Sequence, residues 1–162
     1  MRAAAPEPWE VAPTEWTILL RSTPEWKPTR GLGNGDAWIQ VNEVAGDELE
    51  RTWIGVATGA GGNTQLALEL LFRNALKGPA AVVTTEKTHA DKLAKIGFRR
   101  DDESRIFFPI LLDKLRLAKA YGENDVAGEA LLPVRKAVEA IVAAKADLDA
   151  LIEAVRTKAK GT

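Results

Sequence analysis

The chain has 162 residues, 46% hydrophobic and 28% charged, with a formal net charge of −1. That suits one globular domain with an appendage and offers no overall attraction to a nucleic-acid backbone. With no cysteine and one histidine, disulfides, thiol nucleophiles, thiolate metal sites and multi-histidine metal sites are excluded.

No apolar run reaches the ~20 residues of a bilayer span, so no membrane partner is expected. The beginning of the chain lacks the apolar stretch of a secretory signal. The expected location is a cytoplasm, or a particle assembled in one.

Residues 1–35 read as an extended arm. They hold five of the eight prolines (Pro6, Pro8, Pro13, Pro24, Pro28) and three of the five tryptophans, and proline at this density blocks long helices. Only Trp16 to Arg21 reads as a strand. Trp9, Trp16 and Trp26 either pack on the arm's own domain or anchor it on a partner. Gly31 to Gly35 is a turn; it precedes a strand, whereas a phosphate loop follows one and opens a helix.

A second zone, residues 36–111, reads as an α/β (α+β) domain. Ala37 to Val44 alternates like a half-exposed strand, and Thr52 to Thr58 reads as a strand buried on both faces. Gly59-Ala60-Gly61-Gly62 then leads into an expected helix from Asn63 to Lys77, stopped by Gly78-Pro79. Ala80 to Thr85 is rich in β-branched residues and reads as a strand. A short helix from Thr88 to Ile96 ends at Gly97, with His89 as a polar first-turn residue. Arg105 to Leu111 closes the sheet, and Pro109 marks that strand as lying at an edge or ending there.

Residues 112–162 read as an alanine-rich helical extension. Leu131, Val134, Val138, Ile141, Lys145, Leu148, Ile152 and Val155 are spaced alternately by three and four, a heptad seam broken once by Lys145. Pro133 suits the first turn of a helix running from there to Lys158. Such a seam packs back on its own domain or joins helices of other chains, with Val138, Ile141, Leu148 and Ile152 as its contact residues.

The order strand, Gly-rich turn, buried helix, strand, short helix ending in Gly-Phe, strand resembles the C-terminal half of the GCN5-related N-acetyltransferase (GNAT) family. The Lys95-Ile96-Gly97-Phe98 run looks like that family's "k-l-G-F" signature. The resemblance implies a mixed central sheet splayed between Thr52–Thr58 and Ala80–Thr85. It also implies acetyl-CoA as cofactor, its pyrophosphate held at Gly59, Ala60, Gly61, Gly62, Asn63 and Thr64, and no metal. Glu43 and Glu50, on or near the preceding strands, are the candidate general bases, Glu43 first.

Thr58, Asn63 and Leu93 depart from the family pattern, Leu93 standing where the thiolate-protonating tyrosine often does. Those departures lead to the expectation of a GNAT-like protein with catalysis lost or reduced. It would serve as a structural or assembly module, a bacteriophage virion or head–tail component being one setting. Its partners would be other proteins or further copies of itself. The alternative is an active acetyl-CoA-dependent N-acetyltransferase acting on an amine.

Overall fold

The structure is a computed structural model that describes residues 9–13, 18–22, 26, 36–44, 53–59, 65–73, 76, 79–123 and 128–160. Six strands form one sheet: β1 (Trp9–Pro13), β2 (Ile18–Ser22), β3 (Ala37–Val44), β4 (Gln65–Phe72), β5 (Arg99–Arg100) and β6 (Ile106–Ile110), in the order β1-β2-β3-β4-β6-β5. Every described pairing is antiparallel, not mixed as the family resemblance implies. The helices are α1 (Trp53–Ala57), α2 (Pro79–Thr85), α3 (Lys87–Lys95), α4 (Lys114–Gly122), α5 (Leu132–Ala143) and α6 (Lys145–Lys160).

The core lies between one face of the sheet and the helices. Ile39 stands opposite Leu70, Leu70 opposite Ile106, and Leu68 opposite Phe108. These side chains share a cluster with Val83 of α2, Leu93 of α3, Ile141 of α5 and Leu148, Leu151 and Ile152 of α6. The seam expected in the C-terminal region therefore packs on its own sheet. It belongs to two helices, broken at Ala144, rather than to one. Likewise β1 and β2 are members of the same sheet, with Leu20 paired to Ile39, so the described part of residues 1–35 packs on the chain's own domain.

Three elements differ in kind from the sequence expectation, and they differ together. Thr52–Thr58 was expected as a strand and contains helix α1; Asn63–Lys77 was expected as a helix and contains strand β4; Ala80–Thr85 was expected as a strand and lies in helix α2. In β4 the residues Leu66, Leu68, Leu70 and Phe72 repeat every second position. That repeat serves the core face, and pairing with both β3 and β6 outweighs the helix propensity of Leu, Ala and Glu. Pro79, expected to stop one helix, begins the next, where a missing N–H costs nothing.

The short helix before Gly97 and the strands at 37–44 and 106–110 stand where expected. Glu86, not Thr88, occupies the N-cap of α3. Pro109 lies in β6 beyond the two residues covered by β5, so the strand is interior while its far end is a local edge.

Two charged anchors fasten the sheet to α6. The Asp36 carboxylate is buried and meets Arg73 Nη2 at 2.9 Å and Arg156 Nε at 2.8 Å. Its backbone N–H donates to the Trp26 carbonyl oxygen at 2.8 Å. The buried indole of Trp26 donates to Asp149 Oδ1 at 2.7 Å, and Lys145 Nζ meets Asp149 Oδ2 at 2.6 Å. Lys145 interrupts the seam because it serves this ion pair.

Candidate functional site

The acyl-CoA reading needs a glycine turn that leaves a strand and opens a helix. Here the 59–64 segment leaves the C-terminal end of α1 and enters strand β4. Gly59 has φ +71°, and a Cβ there would lie 2.9 Å from Leu111 Cδ1. Its amide donates to the Val56 carbonyl oxygen at 3.3 Å, so this glycine closes a helix against a neighbouring side chain. Ala60, Gly61, Gly62, Asn63 and Thr64 lie outside the described residues. The splay expected between two strands has neither strand: Thr52–Thr58 contains α1 and Ala80–Thr85 lies in α2.

The Gly97-Phe98 pair has a structural account. Gly97, at φ +107°, ends α3, and a Cβ there would meet the Phe108 ring at 2.9 Å. Phe98 then packs edge-to-face on Phe108, centroids 5.4 Å apart. Glu43 lies exposed near the end of β3, opposite Leu66. Register brings it beside the start of β4; Glu50 lies outside the described residues.

The expected partner contacts fare unevenly. Trp26, Ile141, Leu148 and Ile152 are buried in the chain's own core, and Val138 packs half-buried against it. Those side chains are not available to another protein. Trp9 falls in β1, and Trp16 lies outside the described residues.

His89 joins α3 to α6: its Nδ1 lies 2.9 Å from Asp147 Oδ1, with Lys92 Nζ 3.3 Å from the same oxygen. The hydrogen bond to His89, reinforced by Lys92, holds the Asp147 carboxyl below its usual range, against the opposing effect of burial. This cluster is a strut between two packed helices.

The surface that sequence reading missed is α4. Asp113 caps it, accepting from the amides of Leu115 and Arg116, yet no residue of the helix is fully buried. Leu117 and Ala120 turn partly inward, while Leu115, Ala118 and Tyr121, spaced by threes, turn out. Leu115 is 75% exposed, Tyr121 77%, and Leu111 just before the helix 61%. Hollows of about 380 and 310 Å³ flank α4 where it meets α5 and the 3-10 turn Glu129–Leu131. The signal was present in the sequence as a short apolar-basic segment outside the heptad seam.

No protein-family model, curated protein or solved structure matches the chain. Among the described residues no helix is long and apolar enough to cross a membrane.

Proposed function

We propose that this chain is a structural, self-assembling α+β module with catalysis lost or reduced, and that copies meet through α4. The observation that carries this reading is the clustering of exposed large apolar side chains. Of the four among the described residues, Leu111, Leu115 and Tyr121 lie on or just before one helix. Burying such a side chain is worth roughly 1.5–3 kcal/mol, and apolar clusters of this kind mark contact surfaces.

A second copy suits the surface because its charges balance. Lys114, Arg116 and Lys119 are matched by Asp113, Glu123 and Glu129, with Arg116 4.0 Å from Glu129 and Lys119 3.9 Å from Glu123. A patch with both signs interspersed can face itself across a two-fold axis without net repulsion. A particle built from repeated copies, such as a bacteriophage virion or head–tail joint, would use such a module. The alternative, an acetyl-CoA-dependent N-acetyltransferase, ranks second, since the strand and helix that its resemblance rests on are a helix and a strand here.

The chain holds no cysteine, so a single introduced thiol reports proximity cleanly. Ala118→Cys, on the outward side of α4, should form a disulfide-linked dimer under mild oxidation. Glu103→Cys, exposed at the β5–β6 turn, should not. Equal cross-linking of both, or none of the first, would refute the α4 contact.

A further inference from the structure

We infer that the cleft between α3 and the edge strand β5 binds an extended acidic peptide of a partner protein, laid along β5 as a further strand. The site is separate from α4 and does not rest on self-assembly.

β5 ends the sheet order, and both its residues are exposed. Beside it runs a cleft of about 360 Å³, within the ~300–1,000 Å³ range of ligand clefts. Its floor is apolar and solid: Leu93, Phe98 and Ile106 line it and are buried. Around that floor stand Lys87, Arg99 and Arg100, against one lining carboxylate, Asp91. Arg100 Nη1 reaches toward the Val83 carbonyl oxygen at 3.5 Å. Arg99 pairs in register with Phe107 and Arg100 with Ile106, and both residues line the cleft.

An added strand would gain main-chain hydrogen bonds from the edge of β5, which no described strand covers, and set alternate side chains over the apolar floor. The cationic rim then selects carboxylates. Arginines on a sheet edge also guard against unwanted pairing, and the two roles differ in what they predict. A guard opposes every strand alike, whereas a recognition rim discriminates by charge.

Fluorescence anisotropy with a labelled peptide of alternating Glu and Val decides between them, using the same peptide with Gln for Glu as control. The Glu peptide should bind, weaken as salt rises, and bind at least about tenfold more tightly than the Gln peptide. Lys87→Glu alone and Arg99→Glu with Arg100→Glu should each lose about tenfold or more, with circular dichroism unchanged. Leu115→Glu should leave this binding intact while altering self-association. The proposal is overturned if the Glu peptide does not bind or the Gln peptide binds as well. Undiminished binding by the charge-reversed variants, or displacement by inorganic phosphate at the peptide's own concentration, would overturn it too.

Discussion

Asp36 shows how much of this fold hangs on single side chains. Its buried carboxylate sits between Arg73 from the end of β4 and Arg156 from α6, joining segments 120 positions apart in sequence. Removing one partner of a buried pair leaves the others uncompensated, at a cost of about 3–5 kcal/mol. Asp36→Ala should therefore lower Tm by roughly 6–20 °C in a thermal melt; a shift of a degree or two would contradict the assignment. Sequence reading passed over Asp36 because nothing local distinguishes a buried aspartate from a turn residue.

Asp147 makes a smaller, pH-dependent contribution. Its carboxyl is held below its ordinary value by the hydrogen bond from His89 and by Lys92. A group whose folded pKa is depressed stabilises the fold above its unfolded pKa, ~3.9, and that contribution is lost as pH falls through the folded value. Asp147→Asn should be less stable than wild type by about 1 kcal/mol near pH 6. In denaturant titrations the gap should close as pH drops below about 4. A gap independent of pH would mean the carboxylate's charge is irrelevant.

Among the elements, legibility followed the strength of local signals. The alternation at 37–44, the glycine-terminated helix before Gly97 and the alanine-rich C-terminal helices were readable because propensity and packing agree there. The 52–85 stretch was not, because they conflict. Gln65-Leu-Ala-Leu-Glu-Leu-Leu-Phe72 is made of helix formers, yet two flanking strands claim it for the sheet. Thr52–Thr58 and Ala80–Thr85 are β-branched yet form short helices. The resemblance to an acetyltransferase rests on that stretch, and its element order there is not the one the structure has. The seam at 131–155 was read with its residues right. Whether it faced its own sheet or another chain depended on the length and position of β4 and β6, which the seam itself does not encode.

At the scale of the whole molecule, the two proposed contact surfaces lie where the core leaves something over. α5 and α6 spend their apolar faces on the sheet, while α4 keeps Leu115 and Tyr121 in solvent and β5 leaves an edge open. The first of these supports self-assembly, and the direct test is light scattering on the purified chain across a range of concentrations. Wild type should show a mass above the 17.6 kDa of one chain, rising with concentration toward a dimer or larger closed form. Leu115→Glu should remain folded and return to 17.6 kDa. A wild-type chain that stays at one-chain mass at every concentration would contradict self-assembly through α4.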